Sequence, residues 1–140
     1  MIPLHVHSNY SLLQGAVTID NLIAKAKEYN LPSLGLTDTN GMYGLVSFAK
    51  KCIENGIKPI FGAYVDDPDD AKISCNVLAK NSDGFAELCK LITLRKLNED
   101  FSLRILLNQS FKNLFILSGS IDLLKNLDRE DVYAELVSAS

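Results

Sequence analysis

Two histidines are all the imidazole this chain possesses, and they sit one residue apart, at His5 and His7. In an extended run such as Leu4 to His7, side chains alternate between two sides, so a spacing of two points both rings the same way. Only about one random placement of two histidines in seventy would give that spacing. Two imidazoles aimed together and joined by a carboxylate form a ligand set suited to Zn, Mn or Fe. Asp38, at the end of the second extended run, is the carboxylate best placed to join them. The same residue types also satisfy one another without metal, as buried histidines bonded to a neighbouring carboxylate commonly do. Both readings stand at this point.

Other chemistry has less to work with. Ser8 and Thr37 have no independent base, because both histidines lie in one short run, so a Ser-His-Asp arrangement is not supported. Gly41, Gly44, Gly56 and Gly62 occupy turns and strand ends without the G-x-G-x-x-G or Walker spacing that cradles phosphates. The run Asp66-Asp67-Pro68-Asp69-Asp70 reads as a solvated turn, since it lacks ligand spacing. Cys52, Cys75 and Cys89 are odd in number and set among apolar neighbours, which predicts three buried thiols and no disulfide or metal knuckle. Lys50-Lys51 and Arg95-Lys96 read as solvated helix faces.

The elements that must hold these residues alternate in type. After the Leu4 to His7 strand and a loop with Gly15, Thr18 is an N-cap candidate for a helix carrying Ile19, Leu22, Ile23 and Ala26 on one face. Asn30 fits its left-handed end and Pro32 its stop. Leu34 to Thr37 reads as a strand, Leu45 to Ile53 as a helix ended by Asn55-Gly56, and Pro59 to Val65 as a third strand. Ile73 to Ala79 could return beside it, followed by a helix marked by Phe85, Leu88, Cys89 and Ile92. Leu114 to Leu117 then reads as a strand, Ser120 to Leu127 as a capped helix and Val132 to Val137 as a last strand. Strands alternating with helices predict an α/β fold of right-handed βαβ units around a parallel sheet. Curled into a barrel, such a sheet gathers the C-terminal strand ends at one mouth, where Asp38 and the histidines meet.

With 140 residues, 47% of them hydrophobic, a single domain over residues 1–140 is expected. A formal charge of -3 supplies no field to hold nucleic acid directly. Neither a leader nor a bilayer-length apolar run is recognisable, which predicts a cytoplasmic protein with no membrane partner. The last strand has no following helix to cover it, so a fragment or truncated gene product that self-associates through an open barrel edge is expected.

Three ordered blocks carry a family resemblance: His5-Val6-His7-Ser8-Asn9-Tyr10-Ser11-Leu12-Leu13-Gln14-Gly15-Ala16, then Leu36-Thr37-Asp38-Thr39-Asn40-Gly41-Met42-Tyr43-Gly44, then Gly56-Ile57-Lys58-Pro59-Ile60-Phe61-Gly62-Ala63. They resemble the opening of the PHP (polymerase and histidinol phosphatase) domain of bacterial DNA polymerase III alpha subunits. Val77 to Phe85, Leu88 to Leu91 and Leu117-Ser118-Gly119 extend the likeness through most of the chain. The resemblance implies a distorted (β/α)7 TIM-like barrel of which this chain supplies the first part, with later strands and later metal ligands lying outside it. It also exposes departures. Gln14 stands where the alpha-subunit pattern has an acidic ligand, Thr39 where it has histidine, and Tyr64 where glutamate is expected. Each change puts a weak neutral donor in place of a strong one. His5, His7 and Asp38 are thus the residual metal ligands, insufficient for a cluster, with no tightly bound cofactor expected and only weak Zn or Mn.

The resemblance implies a non-catalytic module in DNA replication, supporting a DNA-directed DNA polymerase whose nucleotidyl-transfer aspartates are not in this chain. Its partners would be the remainder of the polymerase chain and replisome proteins. The alternatives are a metal-dependent phosphoesterase, like histidinol phosphatase or a 3′-5′ exonuclease, and a stand-alone binding protein that kept only the scaffold.

Overall fold

Helices form where the apolar spacing and the caps agree. The structure, a computed structural model, describes residues 1–11 and 15–136. Helix α1 (Ile19–Glu28) begins where Thr18 accepts the N–H of Asn21 in its side chain, and it ends before Asn30 at φ 51°. Helix α2 (Leu45–Glu54) ends at Asn55, and Gly56 at φ 69° turns the chain into the next strand. Helix α3 (Ser82–Leu97) is capped by Asn81, and α5 (Ile121–Lys125) by Ser120. Between them lies α4 (Leu103–Gln109), which the sequence reading missed although Leu103, Leu106 and Leu107 have helical spacing.

Five strands, β1 (Ser33–Thr39), β2 (Lys58–Asp66), β3 (Ser74–Ala79), β4 (Leu114–Ser118) and β5 (Val132–Ala134), form one sheet in sequence order. The expected parallel sheet is corrected to a mixed one: β1/β2 and β4/β5 are parallel, while β3, which returns beside β2, runs antiparallel to both neighbours. Two βαβ units, β1-α2-β2 and β4-α5-β5, therefore flank a reversed strand. The turn after β2 is too short for a crossover, so β3 must come straight back. Helix α3 then climbs from Gly84, against the Asn113 carbonyl, to Arg95, which bonds Asp66 at the far end of β2. The missed helix α4 returns the chain to the start of β4, and that second helix makes β4 antiparallel to β3.

Leu4 to His7 is not a regular strand. Its extended backbone lies along β1, where Gly35 N–H donates to the Pro3 carbonyl at 3.2 Å and Thr37 N–H to the Val6 carbonyl at 2.8 Å. The ladder stays incomplete because Val6 N–H donates to the Thr37 hydroxyl at 2.9 Å. The outer face of the sheet, with Leu36, Val65, Val77 and Ile116, is buried under Phe48, Leu88, Leu91, Leu107 and Leu123 of the helices. Burying such aliphatic side chains stabilises the fold by roughly 1.5–3 kcal/mol each. Two thiols, Cys52 and Cys75, are buried as expected, with burial pushing them up to about 11 and about 12, whereas Cys89 is exposed on α3. The acidic run also departs from a purely solvated turn. Asp67 is buried and accepts the N–H groups of Asp69 and Leu103, so it caps α4 in place of Ser102. The last strand stops at Ala134, and Val137 of the expected range lies outside the described residues.

A single guanidinium ties the α4–β4 connection to the approach to β5. Arg129 donates to the carbonyls of Leu107, Ser110, Phe111 and Leu114 at 2.5 to 3.4 Å. Phe111 sits at φ 69°, a costly conformation for an aromatic residue, and its carbonyl makes the shortest of these bonds. Arg129→Met should therefore lower the unfolding free energy by about 2–4 kcal/mol, by orphaning these carbonyls. Urea denaturation measures it; a loss below about 0.5 kcal/mol would mean the clamp is dispensable.

Candidate metal and histidine site

Asp38 lies near the C-terminal end of β1, only 3% exposed, and a buried carboxylate needs donors. The N-terminal segment provides them. Ser8 donates its N–H to Oδ1 at 2.6 Å and its hydroxyl to Oδ2 at 2.7 Å, and Ser11 donates its hydroxyl to Oδ1 at 2.7 Å. The carboxylate that the sequence placed beside the histidines is thus turned toward two serines, and reaches His7 only through Ser11.

Proton counting fixes the ring tautomers. Ser11 Oγ gives its one proton to Asp38 and accepts the N–H of Thr39 at 2.9 Å, so its contact with His7 Nδ1 at 3.2 Å requires an Nδ1–H on His7. Glu135, just beyond β5, accepts from His5 Nδ1 at 2.7 Å and from the Asn76 side-chain amide at 3.2 Å. His5 therefore also carries its proton on Nδ1. In their neutral forms both rings leave Nε2 bare, and the two Nε2 atoms face each other 2.9 Å apart. At that distance the two nitrogens form a hydrogen bond once one of them carries a proton.

Tyr64, opposite Thr39 in the β1/β2 register and opposite Asn76 in β2/β3, forms the wall. Its ring stacks on His5 at a 5.7 Å centroid distance and meets His7 edge-on at 5.8 Å. Gln14 lies outside the described residues. The sequence brought His5 and His7 together correctly but missed Ser8, Ser11, Asn76 and Glu135. Ser8 and Ser11 carried a readable signal, because short hydroxyls beside a buried acid are its natural donors. Glu135 carried none, being 130 residues from its partner His5. As a fit to metal, two Nε2 atoms alone are an incomplete set for Zn or Mn. Among the described residues no three His, Cys, Asp or Glu side chains come together as a ligand set.

Burial lowers the pKa of His7, aided by the neighbouring His5 ring and opposed by Asp38 and Glu135. A folded-state pKa below the unfolded value of 6.5 means the unfolded chain binds the proton more readily. This contribution to stability is fully present above pH 6.5 and is lost as pH falls through the lowered folded value. Chemical denaturation between pH 8 and pH 5, in wild type and His7→Gln, should show a smaller loss in the variant; equal losses would assign the acid sensitivity elsewhere.

Against known proteins, a model of the PHP domain family matches residues 3–137. The DNA polymerase III subunit alpha of Neisseria meningitidis is 40% identical over 103 residues, covering 71% of this chain and 9% of that protein. The subunit named likewise from Chlamydia trachomatis is 37% identical over 136 residues, covering 86% of this chain and 11% of its own length. That from Staphylococcus aureus is 36% identical over 142 residues, covering 94% of this chain and 13% of its own length. The chain thus covers about a tenth of these relatives. The histidine run, the Asp38 block and the strand that follows all fall within the matched span, and the chain belongs to the PHP domain family.

Proposed function

We propose that this chain is a non-catalytic PHP module of a bacterial DNA polymerase III alpha subunit, acting in DNA replication as a scaffold and partner-binding unit with a decayed metal site. The observation that carries the reading is how the mouth spends its donors. Glu135 is taken by His5 and Asn76, and Asp38 by Ser8 and Ser11, so among the described histidines and carboxylates of the mouth only the two Nε2 atoms are left to face a metal. Departures from the family pattern at Gln14, Thr39 and Tyr64 support it from the sequence side. The partial TIM-like barrel belongs to the same reading: two parallel βαβ units are in place, and the free edge of β5 is where further strands would join. At the opposite end of β2 from the histidines, Phe61, Phe85, Leu78 and Phe115 line an open apolar cavity of about 780 Å³, of a kind that protein surfaces reserve for contact. No helix among the described residues is long and apolar enough to cross a membrane.

Protein purified without metal and dialysed against Zn or Mn should retain less than about one equivalent by elemental analysis, since two imidazoles make an incomplete site. Two or more tightly held ions, lost in His5→Ala or His7→Ala, would revive the phosphoesterase reading. The combined Gln14→Asp, Thr39→His and Tyr64→Glu variant should bind metal at least about tenfold more tightly than the parent, and each single reversion should do little. Unchanged affinity in the combined variant would mean these positions are not the family's ligand positions.

Self-association through the edge of β5 is the expected solution behaviour. Tyr133 is 54% exposed and Leu136 94%, beside a strand with one free side. Sedimentation at micromolar concentration should show dimers or larger species. A clean monomer would mean that the contact between His5 and Glu135 already closes the sheet well enough.

A further inference from the structure

We infer that the apolar cavity at the start of β2 is a docking site for a partner segment that carries aliphatic or aromatic side chains flanked by carboxylates. The inference rests on the partner-binding part of the proposed reading and deepens it by naming the partner's chemistry.

Helix α2 turns Leu45, Phe48 and Cys52 inward, and all three are buried. Val46 and Ile53 lie on its outward side, 80% and 69% exposed. Seven residues make two turns, so these two side chains share one face over about 10 Å of helix. That face does not stand alone. Val46 is also a wall of the cavity of about 780 Å³, whose lining includes Phe61, Phe85 and Phe115, each only partly buried. Phe61 and Phe85 meet edge to face at 5.5 Å, so the two rings brace each other. Single exposed aliphatic side chains are ordinary on a protein surface, but a cavity continued by an exposed helix face is a contiguous apolar patch. A patch of this length suits a stretch of polypeptide that inserts several apolar side chains as anchors.

Charge selects among such segments. The chain as a whole is acidic, at a formal -3, yet the charged residues lining the cavity are both lysines, Lys58 and Lys80. Lys80 is committed: it pairs with Asp131, donates to the Lys112 carbonyl at 3.0 Å and lies over the Phe115 ring. Lys58 is exposed and, among the described residues, in no ion pair. A rim charge of this kind favours a carboxylate on the partner and repels a basic group, while the apolar centre supplies the affinity.

Panning a random-peptide phage library on the full chain, followed by fluorescence anisotropy of a labelled synthetic peptide of the enriched sequence, tests both parts. The enriched peptides should combine several aliphatic or aromatic residues with Asp or Glu. Val46→Asp, at an exposed position outside the core, should weaken the synthetic peptide at least about tenfold. Lys58→Glu should weaken it about fivefold, the upper range for an exposed charge pair. A peptide with its acidic residues changed to Lys should bind that variant more tightly than the wild type. Enrichment without acidic residues, binding indifferent to Val46→Asp and Lys58→Glu, or no enrichment at all would overturn the inference. So would sedimentation in which Val46→Asp converts wild-type dimers to monomers, because the occupant would then be a second copy of this chain. The decayed-site reading fails by a different result, two or more retained metal ions, and that result leaves the peptide measurements intact.

Discussion

Everything at the mouth depends on one buried carboxylate. Asp38 must be satisfied inside the protein, and the groups that satisfy it come from a segment with almost no regular structure of its own. The exchange is mutual. The carboxylate escapes the cost of unpaired burial, and residues 3–11 gain an anchor that an isolated extended run lacks. Because Ser8 and Ser11 grip Asp38 on either side of the loop, His7 is held with its Nδ1 against Ser11. The strand β1 therefore positions the histidines through a side chain more than through the ladder, of which only two backbone bonds form.

The second constraint is closure. A sheet in the order β1 to β5 has its ends far apart along the chain, yet the residue after β5 bonds a histidine beside β1. Twist and curvature of the five-stranded sheet are what bring these two edges within hydrogen-bond reach. The contact occurs at the histidine end only. At the other end the start of β2 and the end of β3 line an open cavity, so the sheet is drawn together where the polar residues are and splayed where Phe61, Phe85 and Phe115 lie.

What the sequence made legible follows from range. Caps and left-handed stops depend on residues within a few positions, and Thr18, Asn30, Asn55-Gly56 and Ser120 all do what their types suggest. The period-two spacing of His5 and His7 also survives, because it needs only an extended backbone. Strand direction does not depend on local pattern: alternation of β and α reads as parallel until the number of helices between strands is known, and the short α4 changed the answer. The cap on α4 was hidden because it comes from Asp67, across the structure, and not from the adjacent Ser102. Likewise Asp38 was recognised as chemistry, but its oxygens go to serines whose claim on them is visible only in space.

On the proposed reading of the mouth as a decayed metal site, loss of ligands need not loosen it, because the polar groups that remain can satisfy one another. A histidine pair stripped of its metal would leave two imidazoles in a partly buried cleft, a costly arrangement unless each ring nitrogen finds a partner. Here the outer nitrogens are met by Glu135 and Ser11, and the Tyr64 ring stacks on the face of His5. Asp38, through Ser11, and Glu135 hold the two histidines from opposite sides. Replacing either histidine would orphan Glu135 or break the contact to Ser11, so the pair is tied to its surroundings by the hydrogen bonds it makes.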